Sequence, residues 1–189
     1  IFCLLVTVAT DAGGNVYLVG ATTSASGIAS GGFQNSYGGG TLDAFLVKFS
    51  ATGGRLWATY YGGGSTDTDQ GGVATDGFGN VYLGGETASD DGIASGGFKN
   101  TKTAGIQSSY LVKFDATTGN RLWGTYYGED DEFHRGQGVA TDASGNVFLS
   151  GLCEDISNIA LNGWQNSKIG LEVYFLVKFD AFGNRLCAT

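Results

Sequence analysis

The sequence predicts an all-β fold, and three observations carry that expectation. The same ordered set of short apolar blocks occurs three times along the chain. Each copy holds four segments rich in Val, Leu, Phe, Tyr, Trp and Thr, bounded by Gly, Asn and Asp, which is how strands are composed and punctuated. No segment sustains a 3.6-residue apolar period, so almost no helix is expected. Four antiparallel strands repeated with little variation is the pattern of a β-propeller blade. Three consecutive blades, part of a larger propeller, is the expected architecture.

The repeat is exact enough to align by eye. Val8-Ala-Thr-Asp11 recurs at Val73 to Asp76 and at Val139 to Asp142, steps of 65 and 66 residues. Asn15 to Leu18 returns at Asn80 to Leu83 and at Asn146 to Leu149, Leu46 to Phe49 at Leu111 to Phe114 and Leu176 to Phe179. Gly32-Phe33-Gln34-Asn35 is echoed by Gly97 to Asn100 and Gly163 to Asn166. The blades then run from about 1 to 62, 63 to 128 and 129 to 189. In the second copy, strands are expected near 73–76, 80–86, 109–115 and 121–127. The connections Asp76-Gly-Phe-Gly-Asn80 and Ala116-Thr-Thr-Gly-Asn120 are short, with a Gly suited to positive φ in a bulged hairpin.

On these residues the chain resembles the SBBP-type β-propeller repeat. The resemblance lies in Gly72 to Thr87, in Asp43-Ala-Phe-Leu-Val-Lys-Phe49 and in Trp57 to Gly63. It implies a secreted or cell-surface bacterial protein and brings no catalytic residues with it. Ile1 to Thr7 and Cys187, which stands where the other copies have Trp57 and Trp123, depart from the pattern. Asp115 to Trp123 is also similar to the tryptophan-docking repeat of quinoprotein propellers, where the motif locks neighbouring blades and holds no cofactor.

Composition removes several classes. With 42% apolar and 13% aromatic residues the chain can fill a core, so wholesale disorder is excluded. No apolar run nears the ~20 residues of a membrane helix. A net charge of −8 with ten scattered bases makes nucleic acid a poor partner. Among 189 residues there is no Met, which suggests an excerpt or a processed piece.

Strand alternation sorts the connections between two ends. The short hairpins share one end. The long loops, about 22–42, 62–72, 86–107, 128–138 and 152–172, share the other. Twelve acids and four bases fall in those loops, so the whole net charge of −8 is assigned there. Loops on a rigid scaffold commonly carry binding residues. Asp67, Asp69, Glu129, Asp130, Asp131 and Glu132 are accordingly the candidate ligand-binding residues. Calcium, which takes six to eight oxygen ligands, is the cation such loops suit. Neither acidic cluster has the spacing of a calcium loop, and a solvated charge cluster is the plainer account. No other cofactor is expected.

The remaining features read as structural. The Asp11, Asp76 and Asp142 turns are expected to bond backbone N–H groups. Lys48, Lys113 and Lys178, inside apolar strands, are expected to snorkel or pair with a carboxylate. Phe33, Phe98, Trp164 and the Tyr60-Tyr61 and Tyr126-Tyr127 pairs suit inter-blade packing, with sugar stacking as the alternative. His134, the single histidine, is placed in a surface loop. Cys3, Cys153 and Cys187 make neither a disulfide framework nor a zinc set; a Cys3–Cys187 link would join the chain ends.

Propellers typically use four to eight blades. Three leave two faces open, each with large apolar side chains whose burial is worth ~1.5–3 kcal/mol apiece. Closure calls for the remaining blades of a parent chain or for a second copy. The expected function is that of a non-catalytic scaffold or adhesion module, secreted or at the cell surface, offering an acidic loop face to a protein or glycan. The alternative is a quinoprotein-like or glycan-cleaving propeller enzyme whose active site lies largely outside this stretch.

Overall fold

The computed structural model describes residues 6–103, 107–128, 133–153, 160–165 and 173–189. Among them there is no helix. Twelve strands form three four-stranded antiparallel sheets in strict sequence order. The first sheet contains β1 (Thr7–Thr10), β2 (Val16–Thr22), β3 (Asp43–Phe49) and β4 (Arg55–Tyr61). The second contains β5 (Asp67–Thr75), β6 (Asn80–Thr87), β7 (Ser108–Asp115) and β8 (Arg121–Tyr127). The third contains β9 (His134–Thr141), β10 (Val147–Cys153), β11 (Val173–Phe179) and β12 (Arg185–Ala188). The first strands β1, β5 and β9 lie side by side, so the sheets radiate from them as blades.

The hairpins form as the sequence predicts. Asp76 accepts N–H bonds from Phe78 at 2.8 Å and Asn80 at 2.9 Å, and Gly79 supplies the φ of +82° that closes the turn. The same Asp-to-Asn clamp recurs at Asp11, Asp142 and Asp180.

One boundary differs. The inner strand of the second blade begins at Asp67, not near 73, and that of the third begins at His134. The stretch Asp67-Thr-Asp-Gln-Gly-Gly72 is polar and Gly-rich, which locally reads as loop. It is held instead by pairing with Thr87 and Glu86 of β6, with a register shift between Thr68 and Gly72. Crowding explains Gly71, and a φ of +77° explains Gly72. A Cβ on Gly71 would lie 2.4 Å from the Gly84 carbonyl carbon.

Each strand sends alternate side chains to opposite neighbours. Val81, Leu83, Tyr110, Val112 and Phe114 pack against Tyr17, Val19, Leu46, Trp57 and Tyr61 of the first blade. From the other side of the same sheet, Tyr82, Leu111, Trp123 and Tyr127 meet Val147, Leu149, Phe175, Val177 and Phe179 of the third. Of the aromatic residues expected between blades, Tyr61, Tyr126 and Tyr127 lie in these clusters and Phe98 meets Phe179 of the third blade, whereas Tyr60 packs on Tyr37 of its own blade and Trp164 is exposed.

The outer strands are covered by their own blade's long loop. Ser30 and Gly31 bridge to Ala58, Ser95 and Gly96 to Gly124, and Leu161 and Asn162 to Ala188. The hydroxyls of Thr59, Thr125 and Thr189 accept the N–H groups of Gln34, Lys99 and Gln165. This accounts for the repeated Gly-Phe/Trp block, and it blunts an edge that would otherwise invite pairing.

Candidate functional site

The loop end of the seam between the first two blades gathers carboxylates. Asp67 opens β5 and Asp43 opens β3, and the backbone at Gly62 runs between them. A Cβ there would lie 2.4 Å from Asp43 Oδ1 and 2.9 Å from Asp67 Oδ2. Asp67 Oδ2 accepts from Gly63 N and Ser89 Oγ, each at 2.8 Å, and its Oδ1 accepts from the Thr87 hydroxyl. Asp43 Oδ2 accepts from Gly38 N at 2.5 Å.

Asp69 follows two residues along β5, and its Oδ2 is buried with no hydrogen-bond partner among the described residues. Glu86 of β6 accepts from Gln70 Nε2 at 2.8 Å and lies 3.6 Å from Arg135 Nε of the third blade. All four acids are buried.

Burial decides their titration. It pushes Asp67 up to about 6, with Thr87, Ser89 and Gly63 opposing through hydrogen bonds. It pushes Asp69 up to about 6 as well, and it raises Asp43. Glu86 is raised by burial against the pull of Arg135.

Such groups keep a proton nearer to neutrality than surface acids do, the property a general acid needs. Here, however, the oxygens of Asp67 are engaged by three donors and closed from solvent. Among the described residues no three His, Cys, Asp or Glu side chains are arranged around a common metal position.

Of the six acids singled out in the sequence, the structure brings Asp67 and Asp69 together on β5 and buries both. That corrects their placement in a loop. Glu129, Asp130, Asp131 and Glu132 lie outside the described residues, as does Cys3. Cys187 is a half-buried thiol. His134 is likewise corrected from a surface loop to the buried first position of β9. It faces Cys153 across the ladder as Asp67 faces Thr87, and it packs against Gly128 as Asp67 packs against Gly62. The sequence reading does not single out Asp43 and Glu86. For Asp43 a signal was present, since it aligns with Ser108 and Val173 at a position where the strands otherwise repeat.

The repeated polar residues do a different job, at the opposite end. Lys48 Nζ and Trp57 Nε1 both donate to the Ala116 carbonyl in the next blade's hairpin, at 2.8 and 3.1 Å. Lys113 Nζ and Trp123 Nε1 do the same to Ala181, at 3.0 and 3.1 Å. The expected carboxylate partners are present too, with Asp11 3.9 Å from Lys48 and Asp142 3.3 Å from Lys178.

Three radiating, four-stranded antiparallel sheets joined by one recurring clasp define consecutive β-propeller blades. Residues 56–93 match the family model of the SBBP beta-propeller repeat, from β4 across the blade boundary to the loop after β6. A search of curated proteins finds no match to the chain.

Proposed function

We propose that the chain is a non-catalytic module of a secreted or cell-surface protein, presenting its loop end to a protein or glycan partner. The observation that carries this reading is where the repeated polar side chains go. Lys48, Lys113, Trp57 and Trp123 are committed to the joints between blades, and Asp11, Asp76, Asp142 and Asp180 to hairpin turns. Exposed Asp90 and Asp91, which have no acidic counterpart in the other copies, sit in the long loop after β6. A repeated frame with non-repeated charge on its loops supports presentation over chemistry. Asp67 and Asp43 support the same reading, since they hold the loop backbone at Gly63 and Gly38.

The test is binding of the chain to an array of glycans and basic peptides, with Asp90→Asn/Asp91→Asn alongside. Salt-sensitive binding that weakens in the variant is expected. Release of a cleavage product from any arrayed glycan would overturn the non-catalytic reading.

A further inference from the structure

At the loop end of the seam between the first two blades, backbone packs directly on backbone. A Cβ on Gly38 would lie 2.6 Å from the Gly62 carbonyl oxygen, one on Gly39 3.3 Å from Gly64 Cα, and one on Gly40 2.3 Å from the Ser65 carbonyl carbon. The connection Gly62-Gly-Gly-Ser-Thr66 brings no apolar side chain to this contact, so hydrogen bonds hold it. Asp43 takes the Gly38 N–H at 2.5 Å, and Asp67 takes that of Gly63 at 2.8 Å. Asp67 also takes the Ser89 hydroxyl at 2.8 Å, and Ser89 Oγ in turn takes the Ser65 N–H at 2.9 Å. Two carboxylates thus fasten both loops.

The same two carboxylates face each other with only Gly62 between them. Both residues are 0% exposed, and Asp43 Oδ1 has no hydrogen-bond partner among the described residues. The titratable hydroxyls around the pair are those of Tyr37, Tyr61, Tyr110 and Tyr126, and burial holds all four above their ordinary value, so they stay neutral. The other charges around these tyrosines are acids, Asp69 and Glu86 on β5 and β6 and Asp90 and Asp91 on the loop that follows. Glu86 is already matched by Arg135, and Arg121 beside Tyr61 donates to the Gly92 and Ile93 carbonyls at 3.0 and 2.9 Å. Among the described residues neither Asp43 nor Asp67 has an ion-pair partner. At the next seam Ser108 and His134 take their places, so the carboxylate pair belongs to the first seam alone.

We propose that Asp43 and Asp67 form a pH-set latch on the loop end. With a proton on the pair, the loops 36–42 and 62–66 lie closed on each other. With both ionised, two like charges share one buried site with no cation between them, and the loops part. The blades stay joined, because their contacts are the apolar seam of Tyr61, Tyr110 and Phe114 and, at the far end, the Lys48 and Trp57 bonds to Ala116. Local opening above an intact core is how segments that bury little apolar surface behave. The direction follows from burial, which lifts Asp67 from 3.8 to about 6 and raises Asp43. Closure is therefore at full strength below about 4 and weakens as pH rises through about 6. The latch sets the shape of the loop end whatever binds there.

Hydrogen exchange of the full chain, followed by NMR amide by amide at pH 4.5 and 7.5, tests the latch. Each rate is compared with its intrinsic value at the same pH, so the pH dependence of the exchange chemistry drops out. The Gly38, Gly63 and Ser65 amides should lose protection by on the order of 25-fold over that range from Asp67 alone. Core amides of β6 and β7, such as those of Leu83 and Val112, should remain far better protected at both pH values. Asp67→Asn should remove most of the loss and Asp43→Asn part of it. Asp69→Asn, whose carboxylate holds no loop amide, should leave it in place. Loop amides that keep their protection at pH 7.5, or that lose it only in step with the core, overturn the proposal. A loss that survives in full in Asp67→Asn overturns it too, and should that variant not fold, a loss of unchanged size in Asp43→Asn does so alone.

Discussion

Trp123 Nε1 donates to the Ala181 carbonyl at 3.1 Å, across the seam between the second and third blades. Lys113 Nζ reaches the same oxygen at 3.0 Å, so one carbonyl spends both lone pairs on two side chains of the neighbouring blade. Because they share an acceptor, their contributions should not add. Trp123→Phe keeps a ring in the slot and loses the donor, at a cost of about 1 kcal/mol. Lys113→Met keeps the stem and costs about as much. In the double variant Ala181 loses both partners, and the coupling should reach about 0.5 kcal/mol or more. Urea unfolding of the four proteins measures it. Strict additivity would show that the two bonds act separately.

The buried acids set a pH dependence with an unusual sign. Asp69 rises from 3.8 to about 6 because it is buried, so the folded chain binds a proton that the unfolded chain has released between those values. Its contribution is fully present below about 4 and is lost as pH rises through about 6; Asp67 acts in the same direction. The hairpin acids work oppositely. The Asn146 side chain holds Asp142 low and the Thr118 N–H holds Asp115 low, and what they contribute is lost as pH falls below the ordinary carboxylate range. Stability should therefore peak near about pH 4 and fall as pH rises from there through about 6. Asp69→Asn should flatten the alkaline arm, with a variant-to-parent difference at pH 7.5 more favourable than at pH 4.5 by on the order of 2 kcal/mol. Comparing the two pH values cancels any constant cost of burying the amide. An unchanged difference would refute the assignment.

How far the sequence carries depends on the range of the interaction. The Asp76 turn is legible because its clamp closes within four residues and returns three times. The start of β5 is not, because Asp67 to Gly72 has no apolar alternation and is held by Thr87 and Glu86, some twenty residues on. His134 is misplaced for the same reason. The clasp residues were visible as repeats, and the Trp motif's likeness to a docking element pointed to inter-blade locking. That Lys and Trp share one carbonyl could not be read, because their acceptor is a backbone atom 58 to 68 residues away. The carboxylate cluster was half visible: Asp67 and Asp69 stood out as loop acids, while Asp43 looked like an ordinary strand terminus.

The hairpin clamp should be one of the costlier polar sites to remove. Asp76 accepts from Phe78 N, Asn80 N, Asn80 Nδ2 and, at 3.1 Å, the buried Tyr82 hydroxyl. Asp76→Ala strands that hydroxyl and frees the turn, for a loss of about 2–3 kcal/mol. Asp76→Asn retains an acceptor oxygen and should lose less. Asp180→Ala, in an exposed turn, should cost less than Asp76→Ala. Chemical denaturation of the three variants orders them, and an equal loss at both Ala variants would contradict the role given to Tyr82.

Two equivalent glycines separate backbone strain from inter-blade contact. Gly119 and Gly53 occupy the same hairpin position in successive blades, at φ of +70° and +85°. An Ala at either must adopt a left-handed conformation, costing about 1–2 kcal/mol. Only at Gly119 does the new methyl also meet a neighbour, 2.9 Å from the Trp57 ring. Gly119→Ala must push that indole off the Ala116 carbonyl, an overpacking penalty of about 1–3 kcal/mol more. Gly53→Ala should show the first cost alone, and Gly119→Ala both. The difference, read from urea midpoints with unchanged slope, reports the strength of one blade-to-blade joint. Equal losses would mean that the indole yields freely and that the clasp holds the blades less firmly than its geometry implies.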